Sequence, residues 1–345
     1  MLSRSVWMII LTAAFLSGCA GGQPYVTPQR LQQGLVIVLP GIEGRSTLNR
    51  EICRGLDEGG INYAIELRDW TAFYYGPLLN LRASDRNHRQ AREIADYVRR
   101  YRAACPKAPV YLVGQSGGAA IAVWAAEALG PSEPVDGIIL LAASLSPHYN
   151  LSGALRSSKK GIISFYSHRD WLLLGTNLVG TMDGEFASSA GRTGFEYPSA
   201  TASPPSYRKL IQVGWNSDMA SSGNTGGHLT SGATEYMAAY VAPFINTPVW
   251  TEAVKDAILK AEAGVVIRPN HASASPVPAS MPAARATPAP TTRVAASPRP
   301  APSPANPPPL SADPTPSPAT PAPTKGPRVI LPATPRPTPN IDKFD

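Results

Sequence analysis

Charged residues are scarce in this chain of 345 residues, at 16% of the total, against about 25% in an ordinary soluble protein. Lysine and arginine form no cluster interleaved with aromatic residues, so the net charge of +7 does not indicate nucleic-acid binding. The apolar run from Val6 to Leu16 is too short to span a bilayer, which takes about 20 residues. Cysteines number only three, and neither Cys53 nor Cys105 has the neighbouring histidine or carboxylate pattern of a metal site.

The N-terminal residues are typical of an exported protein. A short basic start and an apolar run are followed by Leu16-Ser17-Gly18-Cys19, the layout of a secretory signal peptide. This ending resembles the lipobox of bacterial lipoproteins, which implies cleavage before Cys19 and attachment of lipid to its thiol. Ala20, in place of aspartate, resembles the pattern that sorts lipoproteins to the outer membrane of Gram-negative cells. The alternative is an ordinary signal peptide with a chance cysteine.

We therefore divide the chain into a signal peptide (1–18), a polar tether (19–34), a globular domain (35–263) and a tail (264–345). Cys53 and Cys105 both fall in predicted helices of the globular domain. In an exported protein they can form a disulfide, or they can be two small buried thiols. The residues leave both alternatives open.

Short apolar segments alternate with amphipathic ones through the globular domain, which predicts strands alternating with helices. This order favours an α/β fold with a mostly parallel central sheet flanked by helices. The predicted strands are Leu35–Leu39, Ile61–Leu67, Val110–Val113, Val135–Ala142, Gly161–Tyr166 and Lys209–Gly214.

The tail is rich in proline, alanine, serine and threonine, and no apolar period survives in it. Such a segment cannot bury enough apolar surface to offset the entropy of ordering it, so we expect it to be disordered. Its final residues, Ile341 to Asp345, include apolar side chains. These residues either contact the cell wall or a protein, or are simply the end of the tail.

Gly114-Gln115-Ser116-Gly117-Gly118 follows a predicted buried strand and opens a predicted helix. Gly-x-Ser-x-Gly in this position is the pattern of a nucleophile elbow, in which a sharp turn lifts the serine hydroxyl above the ends of the strands. The flanking glycines have a steric reason, since a Cβ there would clash where strand and helix approach. Ser116 is therefore the candidate nucleophile.

A serine nucleophile needs a base, and the base needs an acid that holds its tautomer. His228 lies after the last predicted strand and before the last helix, where it can face Ser116. Asp170 follows the fifth predicted strand. The chain order Ser116, Asp170, His228 is the order in which the triad residues follow one another in proteins with such a nucleophile elbow. Three other carboxylates compete for the acid's role: Asp183, Glu185 and Asp218.

The oxyanion of the reaction needs hydrogen-bond donors that are fixed in advance. The N–H of Gly117, directly after the nucleophile, is one candidate. The N–H of Ile42, in the glycine-containing loop after the first strand, is the other, with Gly41 next. The alternative for this loop is a simple turn.

Residues 35 to 245 resemble an α/β-hydrolase catalytic domain of the serine esterase and lipase kind. The resemblance implies hydrolysis of a small-molecule or lipid ester, or of a thioester, through an acyl-enzyme, with no metal or organic cofactor. The loop Pro40 to Gly44 departs from the His-Gly form common in that superfamily. A serine peptidase or amidase would use the same residues, and an inactive binding module on this fold is a further alternative.

The segment from Trp171 to Ser206 is the longest insertion near the predicted site. Its Trp171 and Leu172 to Leu174 either form apolar walls of a substrate pocket or pack beneath the domain.

Overall fold

Six parallel strands form one central sheet in the computed structural model, which describes residues 23–72, 76–199 and 204–266. The strand order is β2-β1-β3-β4-β5-β6, and every neighbouring pair is parallel. The predicted α/β class with a parallel sheet flanked by helices is confirmed. The strands are β1 Leu35–Leu39, β2 Ala64–Leu67, β3 Val110–Gln115, β4 Gly137–Leu141, β5 Ile162–Tyr166 and β6 Leu210–Gly214.

Both faces of the sheet are covered by helices, which is why its strands are nearly continuous apolar runs. All five residues of β1 are buried. Leu35, Ile37 and Leu39 contact the apolar cluster on one face, whereas Val36 and Val38 contact the cluster on the other. The helices are α1 Pro28–Gln33, α2 Thr47–Glu58, α3 Gly76–Arg82, α4 Ser84–Ala104, α5 Gly117–Leu129, α6 Ser152–Arg156, α7 Thr176–Val179, α8 Ala190–Thr193, α9 Thr234–Tyr236, α10 Ala242–Asn246 and α11 Glu252–Val266.

Short 3₁₀ segments and one π-helical segment are also present in the described structure. The π-helical residues Met237–Val241 join α9 to α10, so the predicted last amphipathic helix is a composite of three segments. The 3₁₀ segments are Leu172–Gly175, Pro205–Lys209, Ser217–Ser222 and His228–Thr230.

Residues 23–33, which fall within the predicted tether (19–34), pack on the domain. Thr27 caps α1 by accepting a hydrogen bond from the N–H of Arg30, and Leu31 is buried in the core. Gln23 exchanges two hydrogen bonds with the backbone of Leu67, and Ile65 N–H donates to the carbonyl of Tyr25. The polar composition of this segment concealed these contacts, which depend on residues far along the chain. Cys19 lies outside the described residues.

The disulfide considered between Cys53 and Cys105 is absent, and both are free thiols. Cys53 packs into the apolar cluster on one face of the sheet, whereas Cys105 packs against the cluster on the opposite face. The sheet therefore separates the two sulfurs, and the alternative of two small thiols is the one observed.

The described residues include no helix that is long and apolar enough to cross a membrane. The predicted signal peptide lies outside the described residues, and so does the predicted tail from residue 267 onward. The helix α11 extends to Val266, three residues past the predicted end of the globular domain.

Candidate active site

The candidate site lies where the strand order of the sheet reverses. β1 has β2 on one side and β3 on the other, so the loops that follow β1 and β3 diverge and leave a crevice at the carboxyl edge, the usual ligand position in open α/β sheets. A cavity of about 710 Å³ occupies this position, and Ile42, Ser116 and His228 all line it.

Ser116 is held in a backbone conformation that side-chain-bearing residues rarely adopt. It follows β3 directly and precedes α5, with φ 54° and ψ −119°. Its N–H donates to the carbonyl of Leu141 at 2.9 Å, and its own carbonyl accepts from the N–H of Ser144 at 3.1 Å. These two bonds tie the strained turn to β4 and the residues after it, and strain of this kind is concentrated at functional sites.

The glycines that flank Ser116 are required by close backbone contacts. A Cβ on Gly118 would lie 2.2 Å from the carbonyl oxygen of Leu39, and a Cβ on Gly114 would lie 2.4 Å from that of Gly118. Real Cβ atoms do not approach backbone so closely. The strand-to-helix turn at Ser116 therefore has the sharp geometry of a nucleophile elbow.

His228 and Asp170 form a buried pair. His228 Nδ1 lies 2.7 Å from Asp170 Oδ2, and the two side chains are only 8% and 2% exposed. The other carboxylate oxygen of Asp170 accepts a hydrogen bond from the N–H of Leu173 at 3.2 Å. With Asp170 accepting at Nδ1, the neutral imidazole carries its proton there and turns the lone pair of Nε2 toward the cavity.

Gln115 contacts the second nitrogen of His228, a role that sequence reasoning missed. Its amide nitrogen lies 3.4 Å from His228 Nε2, and its side chain is buried beside Ser116. Within the described residues, no hydrogen bond joins Ser116 to His228. Nucleophile and base are often this loosely arranged in the absence of substrate. The middle residue of a Gly-x-Ser-x-Gly pattern is variable, so the sequence offered no signal for Gln115.

The loop after β1 packs directly against the elbow. A Cβ on Gly117 would lie 2.7 Å from the side chain of Ile42. Asn80 donates to the carbonyl of Ile42 at 3.0 Å, and the indole of Trp70 donates to the carbonyl of Pro40 at 2.7 Å. Because Gly117 begins α5, its N–H has no partner within that helix. The two predicted oxyanion donors thus belong to adjacent, well-anchored segments.

One of the competing acids, Asp183, and two further histidines, His148 and His88, have partners elsewhere. Asp183 caps the N–H of Ser146 at 2.9 Å. His148 pairs with the exposed Glu196, and the ring of His88 lies against that of Trp124 with centroids 4.0 Å apart and the planes tilted by 32°. Of the two carboxylate–histidine pairs in the described structure, only Asp170–His228 is buried.

Apolar residues of the insertion after Asp170 reach the cavity, as one of the two alternatives predicted. Leu172, Leu173 and Val179 line it, whereas Trp171 points away and is 73% exposed. Glu43 and Glu51 add two carboxylates to the lining, neither of which was a candidate from the sequence. Phe73 to Tyr75, which follow β2, lie outside the described residues.

No group of three or more metal-ligating side chains occurs within the described parts of the chain. The described site is built from serine, histidine, aspartate, glutamine and backbone amides.

Comparison with known proteins gives only distant likenesses. No protein-family model matches the chain, and no curated protein matches it. Among solved structures, lipase B from Aspergillus fumigatus is 12% identical, with 73% of this chain and 67% of that one covered and a TM-score of 0.39. TT1662 from Thermus thermophilus is 15% identical, with 67% and 89% covered and a TM-score of 0.36. Est1E from Butyrivibrio proteoclasticus is 14% identical, with 66% and 87% covered and a TM-score of 0.33. Likenesses this weak carry no argument about activity.

Proposed function

We propose that this protein is a serine hydrolase that cleaves carboxylic esters or thioesters through an acyl-enzyme. The observation that carries the proposal is the strained Ser116 in one cavity with His228, whose Nδ1 is paired with the buried Asp170. Backbone strain of this kind is concentrated at functional sites, and a serine nucleophile needs a base that a third group orients.

In the proposed reaction, Ser116 Oγ attacks the substrate carbonyl while its proton passes to His228 Nε2. Asp170 stabilises the imidazolium that forms, since its carboxylate lies 2.7 Å from Nδ1. The imidazolium then donates its proton to the leaving alcohol or thiol. Water, activated by the same histidine, hydrolyses the acyl-enzyme and regenerates Ser116.

The N–H groups of Gly117 and Ile42 are the proposed donors to the oxyanion. They lie in segments that pack against each other, and Asn80 and Trp70 anchor the Ile42 loop by hydrogen bonds. Donors fixed before the reaction need no reorganisation when charge develops on the carbonyl oxygen.

Labelling with a fluorophosphonate probe tests this proposal, because the probe reacts only with an activated serine. The wild-type protein should label, and Ser116→Ala should not. Ser164→Ala is the matched control, since Ser164 is a buried serine of β5 whose hydroxyl has no hydrogen-bond partner in the described structure. Equal labelling of Ser116→Ala, or none of the wild type, would contradict the proposal.

A serine peptidase or amidase would use the same groups. Parallel assays with p-nitrophenyl esters and peptide anilides separate the two activities. We expect the esters to be cleaved faster, because the apolar walls at Leu172 and Leu173 suit an acyl chain. An inactive binding module would cleave neither substrate and would not label.

We further propose that the chain is exported and anchored in the cell envelope through lipid on Cys19, facing the periplasm if the cell is Gram-negative. Mass spectrometry of the mature N-terminus tests this, since a diacylglyceryl group on Cys19 adds a defined mass. An unmodified N-terminus would contradict the anchor without affecting the hydrolase proposal.

A further inference from the structure

Exposed apolar side chains are concentrated around the mouth of the cavity. Of the ten large apolar side chains that are exposed in the described residues, seven lie on segments that line the cavity. Concentrations of this kind on a protein surface mark binding sites. We call these seven the apolar rim: Leu78, Leu79, Trp171, Leu172, Leu174, Leu178 and Leu229.

The rim is continuous with the cavity. The guanidinium of Arg82 in α3 donates to the carbonyl of Val179 at 3.2 Å, so α3 and α7 meet at the mouth. Leu81 and Val179 point into the cavity, while Leu178, at 82% exposure, points outward from the same turn. An acyl chain can therefore pass from the rim to Ser116 along apolar surface.

The longest chain segment of the rim has no charged residue. From Trp171 to Met182 the sequence contains no aspartate, glutamate, lysine or arginine. The side chains of this segment offer no charged partner, whereas their apolar surface suits the hydrocarbon boundary of a membrane.

Basic residues line a second cavity that adjoins the first. This second cavity, of about 550 Å³, is lined by Arg45, Arg50 and Arg54, and it shares Thr47 and Glu51 with the catalytic cavity. Arginines next to an apolar face complement the anionic headgroups of a bilayer.

The start of the described chain lies at the same place. Gln23 and Pro24 line the second cavity. Three residues separate Gln23 from Cys19, and these four Cα–Cα steps span at most about 14 Å in an extended chain. A lipid on Cys19 would therefore hold the arginines and the neighbouring rim close to the membrane.

We propose that the apolar rim and the adjoining arginines dock on the surface of a bilayer that contains anionic lipid, and that the substrate is the acyl ester of a lipid in that bilayer. The substrate class rests on the proposed hydrolase function. The docking does not rest on that function.

The test uses the full chain with Cys19→Ser, so that an attached lipid does not itself bind membranes. Flotation with vesicles of phosphatidylcholine and phosphatidylglycerol measures binding. Hydrolysis of a long-chain ester in those vesicles and of soluble p-nitrophenyl butyrate measures activity.

Leu178→Ser should weaken vesicle binding at least fivefold, and added Leu78→Ser should weaken it further. Neither side chain lines the cavity, so hydrolysis of the soluble ester should stay within twofold. Val249→Ser, an exposed apolar residue away from the rim, is the control and should change nothing.

Vesicle binding that is absent in the parent chain, or unchanged in Leu178→Ser, would overturn the docking. A dimer that Leu178→Ser converts to a monomer, seen by light scattering without vesicle binding, would show that a second copy covers the rim, and would also overturn it. Loss of vesicle binding in Leu178→Ser, with no hydrolysis of either ester by the parent chain, would support docking while the hydrolase proposal fails.

Discussion

Glu127 should make the stability of the domain depend on pH in a direction opposite to that of an ordinary carboxylate. It lies in α5, where its carboxylate accepts a hydrogen bond from Tyr149 at 3.0 Å, and the Tyr149 oxygen accepts one from the indole of Trp124 at 2.9 Å. Burial raises the pKa of Glu127 from 4.5 to about 6, although the bond from Tyr149 and the charge of Arg156 partly oppose this.

The direction of the effect follows from the difference between the pKa of about 6 in the folded state and the ordinary value of 4.5 in the unfolded chain. Between pH 4.5 and 6 the folded state retains a proton that the unfolded chain releases, so protonation favours folding. The contribution is complete below pH 4.5 and is lost as the pH rises through 6. Since one pKa unit corresponds to about 1.4 kcal/mol, the change in the free energy of unfolding is about 2 kcal/mol.

Glu127→Gln removes the titration and keeps an oxygen that can accept from Tyr149. Urea unfolding, followed by circular dichroism from pH 4.5 to 7.5, measures the free energy of unfolding of both proteins. The variant should match the wild type near pH 4.5 and exceed it by about 2 kcal/mol at pH 7.5. Glu133→Gln, at an exposed carboxylate paired with Arg99, should show a much smaller difference. A Glu127→Gln difference that is constant with pH, or that favours the wild type as pH rises, would refute the reasoning.

Three further predictions concern other residues. Asp170→Asn should lower kcat for ester hydrolysis by about 10³- to 10⁴-fold, because the histidine tautomer is no longer fixed; a loss below tenfold would contradict this role. Gly118→Ala should cost about 3 kcal/mol of stability in thermal unfolding, since its Cβ would overlap the carbonyl of Leu39; an unchanged melting temperature would contradict the close contact. Cys53, whose thiol pKa burial raises to about 12, should be alkylated by iodoacetamide only after unfolding, whereas the half-buried Cys105 should react in the folded protein; mass spectrometry of the two peptides decides.

The sequence predicted the sheet well because strands buried on both faces leave a strong signal. Six short apolar runs gave all six strands, most within a residue or two at each end, and the glycines around Ser116 fixed the elbow between β3 and α5. Residues that follow strands in a parallel sheet must meet at one edge. The pairing of Asp170 with His228 could therefore be anticipated from their chain positions.

What the sequence did not predict depends on contacts between distant segments with little local pattern. The short helix α1 is stabilised partly by its burial against the domain, as when Tyr101 donates to the carbonyl of Leu31. The contact of Gln115 with His228 spans more than a hundred residues. The free state of the cysteines depended on which face of the sheet each helix covers. The apolar periodicity of a helix does not by itself specify which face of the sheet the helix covers.

The N-terminal segment has a consequence for how the protein behaves in solution. β2 is an outer strand of the sheet, and such a strand offers unpaired backbone groups to any other chain. Gln23 and Tyr25 occupy part of that edge, with hydrogen bonds to Leu67 and Ile65. A version of the protein trimmed to the first strand would lose this cover and become prone to edge-to-edge aggregation. Residues that the sequence predicts to be part of a tether thus cover a strand edge that could otherwise pair with the sheet of another copy.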